Sequence, residues 1–166
     1  MFNIDDIGVI RGSGSNYTVN VEDRDTSSAS ATLKRGEVAK RNNANFALLV
    51  ADGDPEQGTD ILVGLITSES TETASADGTA EALQLLPSAV LRGRATTAAN
   101  IDTAAELLGV IFDHVTFDVS SGAITIDEDE GDDPNVHGLV IIDGDEVNGT
   151  LDVLVHQDVV LGGAAI

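Results

Sequence analysis

Short alternations of apolar and polar residues, rather than helical repeats, dominate the chain. Alternation of this kind favours β-strands, because successive side chains of a strand face opposite sides of a sheet. Residues 17–22 alternate in this way near the beginning of the sequence. From residue 31 onward the pattern predicts nine further strands, at residues 32–34, 37–41, 46–51, 61–67, 89–93, 115–119, 123–127, 139–143 and 151–155.

Two segments are predicted to be helical instead. Residues 79–86 form a short candidate that Pro87 would stop. Residues 102–108 are the better candidate, because Thr103 and Glu106 fit a capping box and Gly109 is a plausible stop. We therefore expect a mainly β protein, a compact β-barrel or sandwich-like domain with one or two short helices and an extended N-terminal arm.

The N-terminal part differs in character from the rest of the chain. Residues 1–30 are predicted to be a flexible arm, since small and polar stretches flank the strand at 17–22. That strand has no obvious local hairpin partner and could pair with a neighbouring chain. Residues 31–166 form the β-rich domain, and the acidic part at 120–166 is either a sub-lobe or a completion of the barrel.

Charge narrows the classes of partner. The 166 residues include 29 acidic residues and only 8 Lys plus Arg, a net charge of −21, and no Lys or Arg follows Arg94. Such a surface repels phosphate groups, so we expect neither nucleic acid nor an anionic membrane as a partner. Two alternative explanations fit this charge, adaptation to high salt or a simple need for solubility. The absence of Cys excludes disulfides and thiolate sites.

No apolar stretch is long enough for a membrane span or an N-terminal signal peptide. The longest unbroken apolar run covers six residues, 46–51, and Asp5 and Asp6 lie near the beginning of the sequence. We expect no membrane partner.

One internal similarity relates residues 48–59 to residues 139–150. Both contain an apolar run, then Asp-Gly-Asp, three variable residues and Gly-Thr. The pattern predicts a β-hairpin loop used twice, in which Asp52 and Asp143 cap the turns and the glycines adopt positive φ. Paired metal-binding loops are the alternative.

Catalytic signatures are absent from the sequence. It contains no phosphate-binding Gly-x-x-x-x-Gly-Lys, no Gly-x-Gly-x-x-Gly, no His-Glu-x-x-His and no Gly-x-Ser-x-Gly. His114, His137 and His156 are expected to be surface or turn residues. A small hydrolase that uses His114 or His156 with nearby acids is the weakest hypothesis, and we expect no enzyme, no catalytic residues and no cofactor.

The acidic run at 127–133 has six acids in seven residues. Ca²⁺ prefers several carboxylate oxygens in a flexible loop, and Asp127, Asp129 and Asp133 could supply them around Gly131. The run does not match an EF-hand loop at two places: Gly131 comes one position earlier than the EF-hand glycine, and Gly138 stands where an EF-hand has its bidentate Glu. A solvated acidic loop without a metal is therefore expected, and a secreted or cell-surface Ca²⁺-binding β-module stays as the alternative function.

Three short stretches of the chain carry a family resemblance. Residues 33–38 (Leu-Lys-Arg-Gly-Glu-Val) form a strand and turn, and residues 60–66 (Asp-Ile-Leu-Val-Gly-Leu-Ile) form a strand with a Gly before an aliphatic pair. Residues 89–94 (Ala-Val-Leu-Arg-Gly-Arg) form a later strand that leads to a helical segment. In this order they resemble the opening strand and turn, the Gly-containing strand and the later strand of the head-decoration, or capsid cement, proteins of tailed viruses, the group that includes the phage lambda head-stabilising protein.

The resemblance covers about half of the chain, residues 30–110. It implies a structural virion protein that binds the outer surface of a capsid and stabilises it, as a homotrimer at threefold or quasi-threefold positions. The implied partners are the major capsid protein and other copies of the chain, and the arm would join the shell. Combined with the charge, the resemblance points to a virus of a halophilic, archaeal host.

Overall fold

The computed structural model describes residues 7–21, 32–41, 47–68, 70–71, 78–120 and 123–160. These residues are mainly β, which confirms the predicted fold class. The strands are β1 Gly8–Val21, β2 Thr32–Leu33, β3 Val38–Arg41, β4 Ala47–Leu49, β5 Leu62–Ile66, β6 Ser70–Thr71, β7 Gly78–Arg94, β8 His114–Ser120, β9 Ala123–Asp127, β10 Leu139–Asp145 and β11 Thr150–Val155. The helix α1 spans Ala104–Val110, and short 3-10 turns cover Ala98–Asn100 and Gln157–Val159.

The principal sheet is curled into a half-barrel. Within the described residues its hydrogen-bonded order is β1-β4-β3-β5-β7-β11-β10-β8-β9, and β2 and β6 form a separate pair. Nearly all neighbours are antiparallel, and the central strands β5 and β11 are buried on both faces. Nine of the predicted strands are found at or close to their predicted positions.

The long strand β7 connects the two halves of the sheet. Along one edge it pairs with β1, from Gly8 opposite Arg92 to Val21 opposite Gly78. Along its other edge it pairs first with β5 and then with β11. The change of partner occurs around Ser88, which has a φ of 64° and follows Pro87. One strand therefore belongs to both halves of the core.

The predicted helix at 79–86 is wrong, because these residues form the first half of β7. Ala80 and Ala82 are buried and Glu81 is exposed, so the segment alternates as a strand does. Partners on both edges satisfy the backbone hydrogen bonds, and this tertiary pairing overrides the local helical tendency. Pro87 lies inside the strand, between its two partner segments, and does not end a helix.

The second predicted helix is confirmed as α1. Thr103 is its N-cap and accepts a hydrogen bond from the Glu106 N–H, while its hydroxyl donates to the Glu106 carboxylate at 2.8 Å. Gly109 does not stop the helix, which continues to Val110. The chain instead turns at Phe112, whose N–H donates to the Ile141 carbonyl of β10. Pairing with the sheet therefore sets the end of α1.

The larger of two buried clusters of the described residues is mainly aliphatic. Phe117 and Ile126, from the paired strands β8 and β9, are fully buried among aliphatic residues of β7, β10 and β11. Ile7 packs beside Gly93, where a Cβ would collide with the Ile7 side chain. A smaller cluster of Ala39, Ala80, Ala82, Val63 and Ile66 fills the space between β3, β5 and β7.

The strand predicted at 17–22 is part of β1, and its main partner is β7 of the same chain. A single further pair, Val21 with Ala47, joins its end to β4. The described portion of residues 1–30 is thus extended, and residues 1–6 and 22–30 lie outside the described residues. That residues 1–30 act as a flexible arm stays a prediction.

The repeated Asp-Gly-Asp motif adopts two different structures. The second copy forms the β10–β11 hairpin, as predicted. The first copy does not form a hairpin, because β4 and β5 lie on opposite edges of β3. In the second copy Asp143 accepts the Gly144 N–H at 2.9 Å, as predicted, and Asp145 also accepts from Val147 and Asn148. In the first copy Asp54, two positions after Asp52, accepts from the Ala51 N–H.

Candidate functional site

The acidic loop 127–133 is tied to neighbouring segments by hydrogen bonds. Asp132 accepts from the His114 N–H at 2.8 Å, and the Thr116 hydroxyl donates to Glu130. Asp129 accepts from the Asn100 side chain at 2.6 Å. The loop is therefore held against β8 and against the 3-10 turn at Ala98–Asn100, while its residues 129–132 are exposed, as expected of a solvated loop.

Glu128 is the buried member of this loop, with 7% of its surface exposed. Its carboxylate accepts from the N–H groups of Thr96 and Thr97, both at 2.9 Å, and from the Asn100 side chain at 3.2 Å. Burial raises the pKa of Glu128 above its usual range, although these hydrogen bonds act in the opposite direction. Glu128 therefore connects the acidic loop to the turn that follows β7, through its hydrogen bonds with Thr96, Thr97 and Asn100.

Two of the three histidines meet at the acidic loop. His114 Nδ1 and Asp132 Oδ1 are 2.9 Å apart, and His137 Nδ1 lies 2.8 Å from the His114 carbonyl oxygen. Since a carbonyl only accepts, His137 Nδ1 carries the hydrogen, which leaves its Nε2 facing Glu130 at 4.0 Å. His156 is elsewhere, where its ring accepts from the Asp158 N–H.

Most of the acidic loop's described carboxylates already bind donors of the chain itself. Of the three aspartates suggested as calcium ligands, Asp127 accepts from the Asp129 N–H and Asp133 from the Asn135 N–H, which stabilises local turns, and Asp129 accepts from the Asn100 side chain. Among the residues that the structure describes, no group of three or more His, Asp or Glu side chains is arranged to hold a metal ion. The calcium hypothesis stays a prediction.

A second charged cluster joins β3 to the first Asp-Gly-Asp loop. Lys40 Nζ lies 2.6 Å from Asp54 Oδ1 and 3.0 Å from Asp60 Oδ1. Both carboxyl side chains are only 9% exposed. The second oxygen of each carboxylate accepts a backbone N–H, from Ala51 for Asp54 and from Glu56 for Asp60. One ammonium group thus serves two nearly buried carboxylates.

The pKa values of the two carboxyl groups in this cluster are shifted in opposite directions. Burial raises the pKa of Asp54, and the nearby Asp60 adds to that effect. For Asp60, burial also acts upward, but the hydrogen bonds from Glu56 and Lys40 outweigh it and lower the pKa. For Lys40, hydrogen bonds and attraction to both aspartates outweigh burial and raise the pKa. The cluster therefore keeps Lys40 charged and favours ionised Asp60 over ionised Asp54.

The loop that carries Asp54 also spans the two halves of the molecule. Gly53 N–H donates to the Phe117 carbonyl at 3.0 Å, and Phe117 N–H donates to the Asp54 carbonyl at 2.6 Å. Gly138 N–H donates to the Pro55 carbonyl at 2.8 Å. The Lys40 cluster thus fixes a connection between β3, β8 and the segment before β10, and its contacts suit a structural role.

The surface near α1 has a different chemistry. Leu108 and Phe112 expose 73% and 71% of their surfaces, and Val147, in the β10–β11 turn, exposes 86%. Sequence reasoning missed this surface, because an apolar residue in a short helix gives no sign of which side the sheet covers. It missed the Lys40 cluster because its members lie 14 and 20 residues apart along the chain.

No protein-family model matches this chain, and comparison with curated proteins and with solved structures finds no similar protein. No helix among the described residues is long and apolar enough to cross a membrane. The functional argument therefore depends on the residues themselves and on where the fold puts them.

Proposed function

We propose that this chain is a structural virion protein that binds the outer surface of a capsid and stabilises it. In this proposal it acts as a homotrimer at threefold or quasi-threefold positions, with the major capsid protein as its partner. It is not an enzyme, and its acidic surface is an adaptation to the high salt of a halophilic host.

One observation supports the proposal above the others: two of the three family-like stretches are direct neighbours in the fold. Gly36 N–H donates to the Ile66 carbonyl and Ile66 N–H donates to the Glu37 carbonyl, both at 2.9 Å, which joins the stretch at 33–38 to the stretch at 60–66. The third stretch, 89–94, lies in the same long strand that β5 pairs with, but β5 contacts residues 82–84 of β7, while residues 90–94 pair with β11. The three motifs therefore belong to one sheet, and the first two are bonded to each other.

The glycine in the second stretch has a physical explanation in this arrangement. Gly64 lies in β5 opposite Gln84 of β7, and a Cβ at this position would collide with the Leu83 carbonyl oxygen. The close approach of β5 to β7 therefore requires glycine at position 64. A resemblance that includes such a residue carries more weight than one made of apolar residues alone.

Binding to particles tests the proposal. The purified chain is added to capsids that lack it, in molar NaCl, and the particles are imaged by electron cryomicroscopy. We expect trimeric density on the outer surface at threefold or quasi-threefold positions, and capsids that resist heat better than undecorated ones. Dimeric density at twofold positions, or unchanged capsids, would contradict it.

Thermal melting in the presence of Ca²⁺ distinguishes the proposed capsid function from the alternative, a calcium-binding module. A melting temperature that rises steeply with millimolar Ca²⁺, and hardly with NaCl, would favour that module. A matched variant with Asp127→Asn and Asp133→Asn should then lose the Ca²⁺ response. If the chain is a capsid protein, wild type and variant respond alike.

A further inference from the structure

The outer side of α1 is apolar on a protein whose surface is otherwise rich in carboxylates. Ala104, Ala105 and Leu108 are exposed there, and Glu106 is the carboxylate between them. Phe112, two residues beyond the helix, extends this apolar surface. Single exposed apolar residues are ordinary, but a cluster of them marks an interaction surface. We call Ala104, Ala105, Leu108 and Phe112 the α1 face.

Phe112 is held outward by its backbone. Its φ is 77°, a left-handed conformation that bulky residues rarely adopt. Its N–H donates to the Ile141 carbonyl at 2.8 Å, and the next N–H, of Asp113, donates to the Val110 carbonyl at 3.1 Å. The sheet thus fixes a strained turn that presents one of the chain's few aromatic rings to solvent. Strain of this kind is concentrated at functional positions.

Carboxylates surround the α1 face. Asp102 lies before the helix and its pKa is raised by the hydrogen bond to, and the charge of, Glu106. Asp113 lies after the helix, and burial followed by the charge of Asp132 raises its pKa. The sequence contains no Lys or Arg after Arg94, so the basic side chains in this part of the chain are histidines, of which His114 lies next to Asp113 and contacts Asp132.

A shallow depression lies beside the beginning of the helix. It is lined by Ala98, Ala99, Val147, Asn148 and Gly149 together with the acids Asp102 and Glu146. Val147 is the most exposed large apolar residue among those described. Apolar and acidic side chains therefore occur together in this depression, next to Asp102 at the beginning of α1.

We propose that the α1 face is a docking surface for a basic protein segment, one that carries an aliphatic or aromatic side chain between Lys or Arg residues. The apolar side chain removes Leu108 and Phe112 from water, and the basic residues supply the positive charge that the surrounding carboxylates lack. A second copy fits this face poorly, because it would bring two acidic rims together at a net charge of −21 per chain. This inference stands apart from the proposed capsid function.

The test uses the full chain and three synthetic peptides of equal length. One alternates Lys and Leu, the second replaces Lys with Glu, and the third replaces Leu with Ser. Binding is measured by calorimetry in about 0.15 M NaCl, where the Debye length of about 8 Å preserves attraction between neighbouring charges, and the variants below separate binding at the α1 face from unspecific attraction. We expect the Lys–Leu peptide to bind at least about tenfold more tightly than either of the others.

Matched variants locate the binding. The double variant Leu108→Gln with Phe112→Asn should bind the Lys–Leu peptide about tenfold or more weakly, because loss of a typical hot-spot residue has an effect of this size. Its melting temperature should not fall, because Asn tolerates the left-handed backbone that Phe112 adopts. Leu86→Gln, on β7 and 38% exposed, is the control and should bind like wild type.

Three outcomes would overturn the inference. Equal binding of the peptide by the variant and by wild type would show that attraction to the acidic surface alone explains the binding. Equal binding of the Lys–Ser and Lys–Leu peptides would remove the apolar centre from the interaction. Self-association of wild type but not of the variant in sedimentation would make a second copy the occupant.

Discussion

At the scale of single residues, acidic side chains that look equivalent in the sequence have different surroundings. Glu128 is buried and accepts three hydrogen bonds, whereas the neighbouring Asp129 is exposed and accepts one from Asn100. Substitutions in the acidic loop therefore cannot be treated as simple removal of charge. Glu128→Gln would place an amide NH₂ against the N–H of Thr96 or Thr97, so one hydrogen bond would be lost and two donors would face each other. We therefore expect this substitution to destabilise the fold, although it removes a negative charge.

Lys40 gives a sharper prediction at this scale. Lys40→Met leaves Asp54 and Asp60 nearly buried without their cation, so we expect the free energy of unfolding to fall by about 3 kcal/mol. Lys34→Met is the matched control, since Lys34 is exposed, and should change stability by less than about 0.5 kcal/mol. Urea unfolding of both variants measures the difference.

A double variant identifies the cause of that loss. Lys40→Met combined with Asp54→Asn removes one of the two orphaned carboxylates, and part of the lost stability should return. Equal stability of Lys40→Met and Lys34→Met would show that the Lys40 cluster contributes nothing to the fold.

At the scale of elements, the N-terminus of α1 can be tested against a built-in control. Thr103→Ala removes a side-chain cap whose hydroxyl bonds to Glu106, so stability should fall by about 1 kcal/mol. Thr97 has the same place before the 3-10 turn but makes no side-chain cap bond, and Thr97→Ala should cost less. Thermal unfolding compares the two, and a larger effect at Thr97 would contradict the capping assignment.

Pairing of β1 with β7 makes a second prediction at this scale. In the isolated protein, the amides of β1 that bond to β7 should exchange with solvent slowly, because opening them also exposes an edge of the central strand. Hydrogen exchange followed by mass spectrometry measures this. Exchange of residues 8–21 as fast as an unstructured peptide would instead identify the segment as an arm that becomes ordered only on a partner.

The strands were largely predictable from the sequence, but their partners were not. Alternation is a local property, so most predicted strands are found within one or two residues of their observed ends. The error at 79–86 arose because Ala, Leu and Gln suit a helix locally, while β1 and β5 impose a strand from both edges. Contacts such as Glu128 with Thr96 or Lys40 with Asp60 join distant segments and leave no local pattern to detect.

At the scale of the whole molecule, the charge predicts a strong dependence on salt. The Debye length falls from about 10 Å at 0.1 M to about 3 Å at 1 M salt, so repulsion among the acids is largely screened at the higher concentration. The melting temperature should rise steeply over this range of NaCl. A melting temperature that does not change with NaCl would rule out the adaptation to high salt.

The pH dependence follows from the direction of the pKa shifts. Burial raises the pKa of Asp54, Asp127 and Glu128 in the folded state, so their contribution to stability is complete below the unfolded pKa and is lost as the pH rises through the folded value. Asp60 and Asp132 have lowered pKa values, and their contribution is lost as the pH falls through those values.

Stability should therefore increase as the pH falls from neutral towards the ordinary carboxyl range near about 4, and decrease below it. Thermal melts across this range at constant salt measure the profile. Lower net charge at acid pH acts in the same direction. Asp127→Asn, whose amide oxygen can still accept the Asp129 N–H, should reduce the slope because one raised pKa is removed. A maximum at neutral or alkaline pH would contradict the assignment.

The pairing of β1 with β7 also has a consequence for biosynthesis. The partners in this pairing are roughly 60 to 80 residues apart, and ribosomes add about 5–20 residues per second, so β1 waits several seconds for its partner. During that interval the nascent strand has an open edge, and on a crowded polysome the β7 of another nascent chain competes for it. Slow translation of the first half should therefore raise the yield of strand-exchanged dimers, in which each β1 completes the sheet of the other chain.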